Sequence, residues 1–149
     1  MNRLGHILLV EDSLNDIELT TTALKQNNVV NEIVVTRDGA QALDYLHRRG
    51  RFADRSAGNP IVVLLDLKMP KVDGLEVLRQ MKTDPALKLI PVVMLTSSRE
   101  ESDLVKSYDL GTNAYVVKPV GFEQFADAVR QLGVFWAVIN EPPPDNNRE

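Results

Sequence analysis

The sequence predicts a single α/β domain: an open, doubly wound sheet of parallel strands with helices on both faces. Three observations carry that prediction. Short apolar runs rich in β-formers alternate five times with longer segments of helical spacing. Two of those runs, Ile61-Val62-Val63-Leu64-Leu65 and Val92-Val93-Met94-Leu95, are apolar at every position, as central strands covered on both faces must be. No hairpin signal separates successive runs, so each return to the sheet requires a crossover helix.

The elements follow in order. A first strand over residues 7–10 leads to a helix over 14–27, which Ser13 or Asn15 can cap and whose Ile17, Thr20 and Leu24 fall near one face. A second strand over 29–35 leads to a helix over 38–49, opened by Asp38-Gly39 and carrying Ala42, Leu43 and Leu46 inward. The polar stretch 48–59 reads as an exposed loop, longer than usual for such a connection. Strands over 61–65, 92–95 and 114–117 alternate with helices over 75–83, 99–109 and 121–132. Five such units favour the flavodoxin-like strand order 2-1-3-4-5. The run Glu100-Glu101-Ser102-Asp103 reads as a solvated helix start, where acids are favoured.

Composition bounds the function. With 149 residues, 44% hydrophobic and 26% charged, the chain supports one folded domain over 1–132 and an extension over 133–149. A formal charge of -4 with scattered Lys and Arg offers no phosphate-neutralising patch, so nucleic acid is not an expected partner. There is no cysteine, hence no disulfide and no thiolate metal site. No apolar run approaches the roughly 20 residues of a membrane span, and residues 1–6 are too short and polar for a signal peptide, so a cytoplasmic location is expected. The Pro142-Pro143-Pro144 tail cannot continue a helix.

Ligands of such sheets bind outside the carboxyl ends of the strands. Four of the five ends carry polar chemistry: Glu11-Asp12, Asp66, Thr96 and Lys118-Pro119. Taken one at a time, an acid after a strand is more often a helix cap than a ligand. Taken together, three carboxylates at adjacent strand ends repel one another and must take up protons or a cation. An open, all-oxygen site suits Mg²⁺. The Lys118 ammonium and the Thr96 hydroxyl complete a set able to hold a phosphoryl group. His6 and His47 are assigned no role.

From about His6 to Leu132 the chain resembles a response-regulator receiver domain of two-component signalling. The resemblance rests on Ile7-Leu8-Leu9-Val10-Glu11-Asp12, Leu65-Asp66-Leu67-Lys68-Met69-Pro70 with Asp73-Gly74, Leu95-Thr96-Ser97-Ser98, and Tyr115-Val116-Val117-Lys118-Pro119. It implies that Asp66 accepts a phosphoryl group from a sensor histidine kinase. It also implies that Glu11, Asp12, Asp66 and the backbone carbonyl of Lys68 hold Mg²⁺, that Thr96 and Lys118 contact the phosphoryl group, and that Lys118-Pro119 is cis. Thr96 and Tyr115 match the family's switch pair, and Lys68 and Ser98 flank the path of the hydrolytic water. The Lys68 cation could obstruct that water, which predicts slow self-dephosphorylation; a solvated loop charge is the alternative.

After Leu132 and Gly133 the run Val134-Phe135-Trp136-Ala137-Val138-Ile139 holds more apolar surface than a closed core needs. It predicts a homodimer interface built on Phe135, Trp136, Val138 and Ile139; the alternative is a segment folded back on its own domain. This extension, the 48–59 loop and the Asp66-to-Pro70 variant resemble stand-alone regulators serving phytochrome-type kinases. A downstream phosphotransfer or effector protein is the expected audience.

Three other functions compete. A Mg²⁺-dependent phosphohydrolase of the haloacid dehalogenase type needs a second Asp two residues after the nucleophile, and Lys68 stands there. A flavodoxin-like electron carrier needs a hydroxyl- and Gly-rich first loop, where Glu11-Asp12-Ser13-Leu14 stands instead. A binding module indifferent to phosphorylation has no use for the intact acids, Thr96 and Lys118.

Overall fold

Successive side chains of a strand leave on opposite faces, and in this chain both sets are apolar. The computed structural model describes residues 5–55, 58–107 and 114–138. Its strands are β1 (Ile7–Val10), β2 (Ile33–Thr36), β3 (Val62–Asp66), β4 (Val92–Thr96) and β5 (Ala114–Val117), all paired in parallel in the order β2-β1-β3-β4-β5. The helices are α1 (Leu14–Lys25), α2 (Gly39–His47), α3 (Gly74–Thr83), α4 (Arg99–Ser107), α5 (Phe122–Gln131) and the single turn α6 (Phe135–Val138).

The sheet divides two cores. Leu8, Val10, Val63, Leu65, Val92 and Met94 pack beneath α2, α3 and α4 with Leu43, Leu46, Leu78, Met81 and Val105. Ile7, Leu9, Val62, Leu64, Val93 and Leu95 pack beneath α1 and α5 with Leu24, Phe125 and Val129. Burial on both faces is why the two central strands read as unbroken apolar runs.

Helix starts follow local capping chemistry. The side chains of Ser13, Asp38 and Asp73 accept the amide protons of Asp16, Gln41 and Glu76. Arg48, left-handed at φ 56°, ends α2. Strand β2 is shorter than expected. Asn28 adopts φ 67°, Val29 plugs the α1-side core, and buried Asn31 donates its amide to Gly5 O, so pairing begins only at Ile33. For α4, the expected residues 108 and 109 lie outside the described residues.

The stretch after α2 is not simply an exposed loop. It makes a 3-10 turn (Gly50–Phe52), and the Arg55 guanidinium lies 4.1 Å over the Tyr45 ring while its Nε donates to Tyr45 O at 2.7 Å. Phe52 meets Tyr45 edge-on at 5.1 Å. The Tyr45 hydroxyl lies 2.7 Å from His6 Nε2, which explains a buried histidine without catalytic work. A cation over an aromatic face anchors the connection to the amino end of the sheet.

Beyond α5 the chain turns at Gly133 (φ 79°) and comes back onto the domain. Ala137 and Val138 are buried, and the Arg130 guanidinium covers half-buried Phe135 at 4.1 Å. Val138, expected on an intermolecular surface, therefore belongs to the α1/α5-side core of its own chain. Ile139 and the Pro-rich tail lie outside the described residues. Among the described residues, no helix is long and apolar enough to cross a membrane.

Candidate phosphoryl-accepting site

Register assembles the site. Val10 pairs with Leu65, so the next residues, Glu11 and Asp66, emerge side by side at the carboxyl edge of the sheet. Asp66 pairs with Leu95 and Thr96 with Val117, which carries Thr96 and Lys118 to the same edge. Lys118 N donates to Thr96 O at 2.7 Å, and the Lys118-Pro119 peptide is cis.

The loop after β3 is held tightly under Asp66. Gly74 N donates to Leu67 O at 2.8 Å, and a Cβ on Gly74 would stand 2.1 Å from the Asp66 carbonyl oxygen. Only a residue without a side chain lets α3 start this close to the acidic strand end. The Asp73-Gly74 pair thus combines a helix cap with a point of close backbone approach.

Carboxylate oxygens of Glu11, Asp12 and Asp66 all lie within 4.8 Å of one another. Glu11 and Asp66 are buried, whereas Asp12 is half-buried. Lys118 Nζ reaches Glu11 at 3.2 Å, Asp66 at 3.3 Å and Asp16 at 3.1 Å. Burial, then the neighbouring Asp66 charge, pushes the Glu11 carboxyl up to about 7. Burial also raises Asp66, against the opposing pull of Lys118. Burial disfavours the Lys118 ammonium, but its hydrogen bond to Asp16 and the charges of Asp66 and Glu11 outweigh this and raise its pKa.

One ammonium does not balance this many acids. Two buried carboxyls with raised proton affinity mark a site short of positive charge, and a hard divalent cation bound by oxygens satisfies that shortage. The carboxylates of Glu11, Asp12 and Asp66 fit such an ion, with half-buried Asp12 on its solvent side.

The remaining sequence candidates fall around this centre. Thr96 is fully buried, with Oγ1 2.7 Å from Ser102 Oγ. Tyr115 is half-buried against the α2/α3/α4-side core, with the Lys106 ammonium 5.1 Å from its ring. Lys68 is exposed and its Nζ lies 2.9 Å from Glu101 Oε2, tying the β3–α3 loop to α4. Ser98 uses its hydroxyl to accept from Glu101 N at 3.1 Å, so it caps α4.

Asp16, Glu101 and Ser102 also belong to this neighbourhood, though nothing in the sequence marks them as functional. Asp16 stands in the first turn of α1, where an acid ordinarily signals only the helix dipole. The start of α4 was expected to be solvated, yet Ser102 is 5% exposed and Glu101 holds two donors, Ser97 N and Lys68 Nζ. A helical phase places position 102 inward, beneath the neighbouring strand end, and a short hydroxyl gives no sequence signal of that.

A five-stranded parallel sheet with an acidic, cation-ready pocket and a lysine at its carboxyl edge defines a class of phosphoryl-handling signalling domain. The response regulator receiver domain model matches residues 7–130, and the chain belongs to that family. The response regulator Rcp1 of Synechocystis sp. is 40% identical over 130 residues, covering 87% of each chain. The crystal structure of its Mn²⁺-bound form superposes with a TM-score of 0.72, covering 95% of this chain and 99% of that one. Two bacteriophytochrome response regulators are more similar still. RtBRR is 64% identical with a TM-score of 0.86, covering 94% of this chain and 84% of that one. AtBRR is 61% identical with a TM-score of 0.89, covering 94% and 100%. The chain is a receiver-domain response regulator related to those of phytochromes.

Proposed function

We propose that Asp66 accepts a phosphoryl group from the phosphohistidine of a phytochrome-type sensor kinase, and that the phosphorylated domain signals by binding a downstream phosphotransfer or effector protein. The observation that carries this reading is the Glu11, Asp12 and Asp66 cluster with Lys118 shared across it. An Asp66 carboxylate oxygen forms the new bond to phosphorus as the histidine nitrogen–phosphorus bond breaks, the electron pair leaving with the ring nitrogen. Phosphoryl transfer passes through a loose transition state, so positioned charge does most of the work. Glu11, Asp12, Asp66 and the Lys68 carbonyl would hold Mg²⁺, which would neutralise charge on the incoming oxygens. Lys118 exchanges part of its carboxylate contacts for one phosphoryl oxygen, and the Thr96 hydroxyl donates to another.

The acyl phosphate so formed ends by hydrolysis, with Lys68 and Ser98 flanking the water's approach. The domain thus acts only on its own phosphorylation state and turns over no separate substrate. Movement of Thr96 frees space for Tyr115, which transmits the change to the face of α4, β5 and α5. The protein works in the cytoplasm, alongside its kinase. A homodimer uses the apolar C-terminal segment through Phe135, Trp136 and Ile139, leaving Val138 in the core; Trp136→Ser should then give a monomer by light scattering.

The decisive experiment is phosphotransfer from a purified phytochrome kinase, followed on phosphate-affinity gels with Asp66→Ala as control. Label on the wild type that is absent from the variant is the expected result. Absence of transfer from phytochrome-type kinases, with transfer from another class, would remove the phytochrome assignment and keep the acceptor.

A further inference from the structure

The first turn of α4 grips two groups that the phosphoryl site uses. Ser102, 5% exposed, has Oγ 2.7 Å from Thr96 Oγ1 and 3.4 Å from the Ser98 carbonyl oxygen. A serine hydroxyl has one proton. Either hydroxyl can donate in the Thr96–Ser102 bond; when Ser102 donates to Ser98 O, the Thr96 proton goes to Ser102. Thr96 likewise has one proton, and it cannot serve Ser102 and a phosphoryl oxygen together. One residue earlier, Glu101 accepts from Ser97 N at 2.8 Å through Oε1 and from Lys68 Nζ at 2.9 Å through Oε2.

We propose that Ser102 is a positioning residue that holds the Thr96 hydroxyl in the resting arrangement, with Glu101 as a weaker second hold on Lys68. The inference rests on the receiver reading. Arrival of a phosphoryl group competes with Ser102 for the Thr96 proton, and the first turn of α4 is released when the phosphoryl group wins. The two holds differ in weight. A buried hydroxyl pair is worth about three- to tenfold in an equilibrium between bound and released arrangements. Lys68 is 77% exposed against 15% for Glu101, and an ion pair with one partner open to water contributes roughly twofold or less.

On this proposal the bond is made in the resting arrangement and given up in the phosphoryl-bound one, so its loss favours the latter. Titrate the full chain with beryllofluoride, a phosphoryl mimic, in the presence of Mg²⁺, and follow the bound species by fluorine NMR; record thermal melts without the mimic in parallel. Ser102→Ala should lower the half-saturating beryllofluoride concentration about three- to tenfold. Glu101→Gln keeps the acceptor for Ser97 N and should lower it by roughly twofold or less. A Ser102→Ala protein that melts lower yet binds the mimic as the wild type does, or more weakly, overturns the proposal, because a purely structural serine behaves so. A larger effect from Glu101→Gln than from Ser102→Ala overturns the assignment of Ser102 as the main hold. If the wild type itself shows no Mg²⁺-dependent binding and no label on Asp66, the phosphoryl-accepting function falls and the latch with it.

Discussion

Replacing Asp66 by Asn should stabilise the metal-free protein while abolishing phosphorylation. Carboxylate oxygens of Asp66, Glu11 and Asp12 lie within 4.8 Å of one another. At an effective dielectric of about 20, each neighbour then repels an ionised Asp66 by about 3.5 kcal/mol. Lys118 at 3.3 Å returns about 5 kcal/mol. Burial opposes the Asp66 charge first, and the balance of these three charges adds about 2 kcal/mol, which for a domain of this size is roughly 4–8 °C in melting temperature. Thermal melts at about pH 8 in EDTA should show Asp66→Asn above the wild type, and Mg²⁺ should raise the wild type more than the variant. A variant no more stable than the wild type in EDTA would refute the charge-crowding account. The pH dependence has a definite sign. Glu11 binds its proton more tightly in the folded state, up to about 7 against an ordinary 4.5, chiefly through burial and then through Asp66. Its contribution to stability is complete below about 4.5 and is lost as pH rises through about 7. The metal-free wild type should weaken across that window, and Asp66→Asn should weaken less.

Gly74→Ala places a methyl 2.1 Å from the Asp66 carbonyl oxygen, so it should cost about 1–3 kcal/mol in denaturant titration and slow labelling of Asp66 by acetyl phosphate. Labelling at the wild-type rate would show that the loop yields without disturbing the acceptor. Arg55→Ala removes the cation over Tyr45 and a 2.7 Å hydrogen bond, and should cost about 1–3 kcal/mol with labelling of Asp66 unchanged. Lys68→Asn should hasten decay of phosphorylated Asp66, measured by loss of label; unchanged decay would remove Lys68 from the path of the water.

The legible parts of this protein are those where one physical requirement acts locally. Runs such as Ile61 to Leu65 are apolar throughout because both sheet faces are covered, and that pattern is written in the chain. Glu11, Asp12, Asp66, Thr96 and Lys118 could be read as one site because strand ends are predictable and parallel order brings them to one edge. What escaped were roles fixed by phase and distance. Ser102 looks like a solvated residue between acids until α4 turns it beneath Thr96. Asp16 looks like a dipole acid until α1 brings it 3.1 Å from Lys118. Arg55 looks like loop charge until it meets the Tyr45 ring.

By itself the sequence determined the parallel doubly wound sheet and the acidic strand ends, because hydrophobic period and residue chemistry survive without knowledge of long-range contacts. Only the tertiary structure decided that Val138 turns into its own core, that Lys118 is shared among three acids, and that the first turn of α4 holds Thr96 and Lys68. Those outcomes depend on helix rotation and ångström-scale approach between segments far apart in the chain, quantities that no local pattern of residues specifies.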